Sequence, residues 1–267
     1  MTTSCTFRTV LTVTMLITVY FNSMAQEPST IRVLTYNVYH GETMKGNFDL
    51  DLISATIKSV NPDLVALQEV DVHTDRAMGM DIVTELAQRT GLIPTFGSAM
   101  PFSNGYYGVG ILSKHPIVKS QNHKLPSKVG HEPRTALEIW VALKSKDTIR
   151  FVSTHLDNMD ENSDRLNQAK FINQTFADKE SYAPTILAGD LNALPDSETM
   201  KIFYNHWQKS FTENTPTSPS SNPQSKIDYI LYRPQDRWEV IATKVIQEPM
   251  GSDHLPVLSV LRLLPRR

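Results

Sequence analysis

Six short segments of this 267-residue chain end in groups that can bind a metal or move a proton. They are Asn37 in TYNV, Glu69 in LQEV, His155 in STHLD, Asp190 with Asn192 in GDLNALP, Asp228 in KIDYI, and Asp253 with His254 in GSDHLPV. Each closes or follows an apolar, β-branched run, and strand ends beside loops are where α/β folds assemble their sites. Asp190 and Asn192 are two residues apart, so on an extended segment they face the same way, and Gly189 lets the backbone turn closely beside them. That arrangement suits Asp190 as the base for an attacking water and Asn192 as the group that orients it. Any one of these residues alone is equally at home in a turn; the repetition along the chain points to a shared site.

Glu69 emerges from an otherwise apolar run, where an unpaired carboxylate is costly. A hard cation would satisfy it, and its oxygens with the amide oxygen of Asn37 suit Mg²⁺ or Mn²⁺. The histidines show no HxxxH or HxH spacing, which argues against a histidine-ligated zinc. His155 and His254 then serve as donors to a charged substrate. Asp253 and His254 are neighbours, and neighbours on an extended strand point to opposite faces. The expected partner of His254 is therefore Asp228, from another strand, with Asp253 left for the metal or a water.

The elements that must carry these residues follow from periodicity. Strands are expected at 31–38, 63–70, 107–117, 135–143, 149–155, 184–189, 226–232, 239–247 and 256–263. Helices are expected at 48–60, ending at Asn61-Pro62, at 81–91, closed by Gly91, at 161–178 and at 196–206. Segments 121–133 and 212–224, rich in Pro, Ser and Asn, are expected as loops. The order suits a mixed-sheet sandwich with helices outside better than a purely parallel sheet.

Residues 1–25 have the pattern of a secretory signal peptide, with Arg8, the run VLTVTMLITVYF at 10–21, and Ser23 and Ala25 before a cut after Ala25. The run is too short to span a bilayer as a helix; an uncleaved or lipid-modified anchor is the alternative. The mature domain is then 26–267, secreted or periplasmic. Cys5, the only cysteine, would leave with the signal, which excludes disulfides and thiolate chemistry from the mature chain. Removal takes one Arg and no acid from 26 basic and 28 acidic residues, leaving a formal charge of −3. Such a surface has no global attraction for nucleic acid.

The six segments, in this order across residues 31–258, resemble the endonuclease/exonuclease/phosphatase superfamily with the deoxyribonuclease-I-like fold. The resemblance implies a four-layer α/β sandwich, two mixed sheets packed face to face with helices outside, and Mg²⁺-dependent (or Mn²⁺-dependent) hydrolysis of a phosphoester. Carried over residue by residue, Asn37 and Glu69 match metal-binding positions, and Asp190 matches a water-activating aspartate with Asn192 beside it. His155 matches a phosphate-contacting position. Asp228 matches an acid near a second metal position or a catalytic histidine, and Asp253 and His254 match the closing acid–histidine motif. Arg134, in EPRTAL, resembles an arginine that faces the site.

Family resemblance does not choose the phosphoester. A nuclease would use a basic groove, for which the stretch 114–134 with Lys114, His115, Lys119, His123, Lys124, Lys128, His131 and Arg134 is the candidate. A lipid phosphodiesterase would use an exposed apolar hairpin, for which Phe102, Tyr106 and Tyr107 in AMPFSNGYYG are the candidates; these rings could equally line the site or pack in the core. A non-catalytic binding module on the same fold is the alternative from another class. No obligate protein partner is implied, and a monomer is expected.

Overall fold

A single geometric rule places the site: along a strand, alternate side chains share a face, so a polar residue two positions beyond an apolar one prolongs that residue's stripe. The computed structural model describes residue 1 and residues 29–177 and 182–266. Residues 2–25 of the expected signal segment, and residue 178 of an expected helix, lie outside the described residues.

One sheet holds β1 (Thr30–Asn37), β2 (Leu64–Val72), β3 (Ile93–Phe102), β4 (Gly105–Ser113), β11 (Trp238–Val245) and β12 (Val257–Leu263), in the order β11-β12-β1-β2-β4-β3. The other holds β5 (Ile117–Lys124), β6 (Thr135–Ala142), β7 (Thr148–His155), β8 (Thr185–Asp190), β9 (Gln208–Lys209) and β10 (Asp228–Arg233), in the order β5-β6-β7-β8-β10-β9. Both are mixed, with one central parallel pair each, β1 with β2 and β7 with β8. Helices α1 (Leu50–Ser59) and α2 (Ile82–Thr90) cover the first sheet, and α3 (Ser163–Phe176) and α4 (Glu198–Tyr204) the second. The result is the expected four-layer sandwich.

Helices α1 and α2 begin where the sequence offers an oxygen to their free N–H groups. Asp49 accepts from Asp51 N and Leu52 N, both at 3.0 Å, and Asp81 accepts from Thr84 N at 3.1 Å. Gly91, left-handed at φ 73°, ends α2.

Three apolar layers result. Ile31 and Val33, Ile149 and Phe151, Ile186 and Ala188, and Ile230 and Tyr232 meet between the sheets. Residues of opposite parity, such as Leu34, Leu187 and Leu231, pack under the helices. Continuing the inner stripes to the strand ends gives Asn37 on β1, His155 on β7, Asp190 on β8 and, at the start of antiparallel β10, Asp228. The polar residues thus form the rim of the inter-sheet core.

Besides the two-residue β9, two strands were not expected, β3 and β5, and the segment 121–133 begins as strand rather than loop. Both are sheet edges. Edge strands tolerate the Pro94 and Pro101 of β3 and the polar run of β5, because one side of the backbone needs no partner. The turn between β3 and β4 is two residues, Ser103 and Asn104, at φ 44° and 63°. Such a tight hairpin leaves no long apolar loop to enter a membrane, and no helix among the described residues is long and apolar enough to cross one.

Candidate active site

Register brings the second sheet's three ionisable ends into one row. His155 pairs with Asp190 across the parallel β7–β8 ladder, and Asp190 pairs with Asp228 across the antiparallel β8–β10 ladder. Gly189 permits the close approach: a Cβ there would lie 1.9 Å from Thr154 O. The chain then turns through Asn192, left-handed at φ 47°, whose N–H donates to Asp190 Oδ1 at 2.9 Å.

Asp190 is buried, and burial together with the neighbouring Asp228 charge pushes its carboxyl up to about 7, against the opposing pull of His254 and the Asn192 N–H. Its Oδ2 faces three nitrogens: Asn37 Nδ2 at 3.3 Å, His155 Nε2 at 3.5 Å and His254 Nε2 at 3.8 Å.

His254 arrives from the loop before β12 and donates from Nδ1 to Asp228 Oδ2 at 2.9 Å. Ser252 fixes this loop by donating to the Asn37 carbonyl at 2.6 Å and accepting from His254 N at 3.2 Å. Burial alone would favour the neutral ring, but the carboxylates of Asp228 and Asp190 outweigh it and push His254 up to about 10. Asp228 Oδ2 also accepts from Thr217 Oγ1 at 2.6 Å. The imidazole therefore meets the distant carboxylate across the sheet, while neighbouring Asp253 turns away, half-buried, near Glu69.

A stability consequence follows from this raised value. A group whose pKa is higher in the folded state contributes stability below its unfolded value, here 6.5, and that contribution is lost as pH rises through about 10. Wild-type unfolding free energy should fall across that window in denaturant titrations. Asp228→Ala should start lower by ~3–5 kcal/mol, since a buried cation loses its partner, and should lack that slope. Equal slopes in both proteins would remove the pair from the account.

His155 is in the opposite state. Burial and the adjacent Arg134 guanidinium hold it well below the ordinary imidazole range. Arg134 is buried and its Nη1 donates to His155 Nδ1 at 2.9 Å. Because guanidinium can only donate, this contact assigns the ring proton to Nε2. Asn192 Nδ2, held by the Leu156 carbonyl at 3.0 Å, lies 3.0 Å from that nitrogen. Two N–H groups thus stand side by side next to Asp190, an arrangement that suits an anionic oxygen.

Glu69 owes its place to a bulge. The β2–β4 register shifts between Leu67 and Val70, and Glu69 itself is left-handed at φ 56°. An extra residue in a strand re-aims the side chains beyond it, so Glu69 reaches the rim although strict alternation from Leu64 and Ala66 would send it under the helices. Burial would raise its carboxyl, but contacts with His40 and Asn37 and the nearby His254 cation hold it below the usual carboxylate range. His155, being neutral, adds little.

The amide of Asn37, expected to offer its oxygen to a metal, is engaged at both ends. Asn37 Oδ1 accepts from Tyr39 N at 3.1 Å, closing a turn, while Nδ2 donates to Glu69 Oε1 at 3.0 Å and to Asp190 Oδ2 at 3.3 Å. The sharp left-handed backbone at Tyr39 and His40 requires that capping contact. Asn37 orients carboxylates. Two carboxylates beside it can serve a cation, Glu69 and Asp253, whose own carboxyl is raised by burial and by Glu69. A charged carboxylate beside a second one it disfavours is a donor set that fits a hard divalent ion. Asp190, Asp228 and His254 also lie close enough to share an ion.

Sequence reasoning missed His40, whose Nδ1 is 3.7 Å from Glu69 Oε2, and Arg76, whose Nε and Nη2 grip the buried Asp71 at 2.6 and 2.9 Å. Neither lies at a strand end, so no periodic signal marks them. Of the candidate aromatics, Phe102 and Tyr107 line a cavity beside Glu69 and His155, and Tyr106 is exposed. The basic stretch is no continuous groove: Lys114 lies against Asp63, His123 against Glu138, Lys128 against Glu161, His131 against Asp164 and Arg134 against Glu132.

Solved structures share this architecture. An endonuclease/exonuclease/phosphatase from Beutenbergia cavernae superposes with a TM-score of 0.72 at 22% identity, over 88% of this chain and 72% of that one. The human Nocturnin catalytic domain with bound sulfate anion gives 0.70 at 20% identity, over 89% and 98%. A mannosyl-6-phosphatase from Bacteroides thetaiotaomicron gives 0.71 at 17% identity, over 86% and 99%. At these identities they speak for the fold alone. The sequence itself matches the model of one family across residues 34–254, a span that runs from β1 to His254 and takes in every residue of the row described above. The chain belongs to the endonuclease/exonuclease/phosphatase family.

Proposed function

We propose that this chain is a Mg²⁺- or Mn²⁺-assisted phosphoesterase that hydrolyses its substrate by in-line attack of a water activated by Asp190. One observation carries this: a carboxylate raised to about 7 lies between a neutral histidine and a histidine kept cationic. Neighbouring groups pushed toward opposite protonation states, 3.5 and 3.8 Å from one carboxylate oxygen, suit a base and a cation.

Asp190, deprotonated near neutral pH, takes the proton of the water. The Asn192 backbone holds Asp190 Oδ1, which leaves Oδ2 as the accepting atom. His155 Nε2–H and Asn192 Nδ2–H donate to a phosphoryl oxygen, and the His254 cation opposes the negative charge that builds on the others. Glu69 and Asp253 would hold the ion, which when bound supplies charge neutralisation at the phosphoryl and leaving oxygens. Asn37 and His40 keep Glu69 in place. The proposed setting, secreted or periplasmic, rests on residues 1–25.

Titration calorimetry tests the metal part. Purified protein should give a Mg²⁺ or Mn²⁺ signal that Glu69→Ala abolishes. No signal in the wild type would favour the binding-module alternative. The endonuclease alternative is less well supported, because acids lie against Lys114, His123, Lys128, His131 and Arg134 and interrupt the basic stretch that a polyphosphate backbone would need.

A further inference from the structure

Next to the phosphate site lies a second feature that the hydrolytic scheme does not use. A cavity of about 200 Å³ shares Glu69 and His155 with the site and is otherwise lined chiefly by Arg76, Phe102, Tyr107, Glu132 and Arg134. Its occupant would be attached to the phosphorus held by His155.

Size limits that occupant. Pockets for drug-sized ligands run to roughly 300–1,000 Å³, so this one has room for about a single ring.

Charge limits it further. Arg76 is held by Asp71 through Nε and Nη2, and Arg134 by Glu132 at 3.0 Å. With Glu69 the cavity and its immediate supports carry two guanidinium groups and three carboxylates. No positive excess is left for a second phosphate or a polyanion.

Paired guanidinium and carboxylate groups do present fixed donors next to fixed acceptors, which is what hydroxyl groups, each donor and acceptor at once, can use. The Arg76 side-on grip on Asp71 turns Nη1 away from that carboxylate. Aromatic rings hold the fork flat, with the guanidinium carbon 4.6 Å from the Phe102 centroid and 5.6 Å from that of Tyr107. The Phe102 ring, 36% exposed, supplies an apolar edge beside these polar groups.

We propose that this cavity binds one neutral polyhydroxylated ring, so that the substrate is a phosphate ester of a monosaccharide or a cyclitol. This rests on the phosphoesterase function proposed above. Arg76 and Phe102 are its specificity-determining residues, and nucleic acid and phospholipid substrates fit it poorly.

The test measures kcat and KM with Mg²⁺ on a hexose phosphate, an inositol phosphate, p-nitrophenyl phosphate, a short oligonucleotide and a sphingomyelin dispersion. Wild type should favour the hexose or the inositol ester at least tenfold in kcat/KM over the other three, and the two arms tell sugar from cyclitol. In Phe102→Ala and Arg76→Lys, the ratio of kcat/KM on the preferred ester to that on p-nitrophenyl phosphate should fall at least tenfold, chiefly through KM. Phe102→Ala, at a hairpin tip, keeps the test open if the Arg76 variant misfolds. An unchanged ratio in a folded variant, or a preference for the oligonucleotide or the lipid, would overturn this proposal and leave the phosphoesterase function standing. Inactivity on all five substrates would overturn both.

Discussion

Replacing Asp190 by Asn should lower kcat roughly 10²–10⁴-fold while leaving KM within about threefold, the range expected when a general base is removed without disturbing substrate binding. The substitution keeps the shape of the side chain and the oxygen that accepts from Asn192 N–H. It removes the proton-accepting charge and puts an NH2 where Oδ2 accepts from Asn37 Nδ2. It should also leave the protein as stable as wild type or more so, because Asp190 is buried beside Asp228 and the two charges repel. A folded variant with kcat within tenfold of wild type would assign the base elsewhere. Thermal melts recorded alongside the kinetics separate lost chemistry from lost fold.

The second large effect is at His254. His254→Gln should lower kcat by about 10²–10³-fold, as expected when a preorganised donor to developing charge is lost. It should also change the pH profile. In the wild type, kcat/KM should rise as Asp190 loses its proton near 7 and fall as His254 loses its proton near 10. A cation bound at Glu69 and Asp253 would move the lower limb to more acid pH, since positive charge favours the ionised carboxylate. The variant should keep the acid limb and lose the alkaline one. An alkaline limb that survives in His254→Gln belongs to another group, and the imidazolium then has no place in the mechanism.

Much of this arrangement is legible in the sequence because it rests on period two. Ile31, Val33, Asn37 and Ile186, Ala188, Asp190 are apolar stripes that finish in a polar residue, and the fold turns each stripe into core and its end into rim. The partnership of His254 with Asp228 was expected from strand alternation; it is present, but the two neighbours lie in the loop before β12, where Ser252 sets the backbone that aims the ring. The sequence is silent where alternation fails. Glu69 is aimed by a bulge, a one-residue irregularity with no compositional signature. Asn37 was assigned an oxygen toward the metal because its residue type allows it; the backbone turn that occupies one lone pair of that oxygen has no signature in the sequence. β3 and β5 escaped notice as edges, where burial imposes no pattern. Arg76 and His40 sit in loops, and only tertiary structure brings them to the site.

The central claim is that the row His155, Asp190 and Asp228, closed by His254 and flanked by Glu69, hydrolyses a phosphoester with the help of a divalent ion. It is tested most directly by following phosphate release or ester cleavage across a panel of sugar, cyclitol, nucleotide and lipid phosphoesters in Mg²⁺, in Mn²⁺ and in excess chelator. Turnover of at least one member that chelator abolishes and added Mg²⁺ or Mn²⁺ restores is the predicted result. A folded protein that cleaves no member under either ion, or cleaves equally well in chelator, would contradict it.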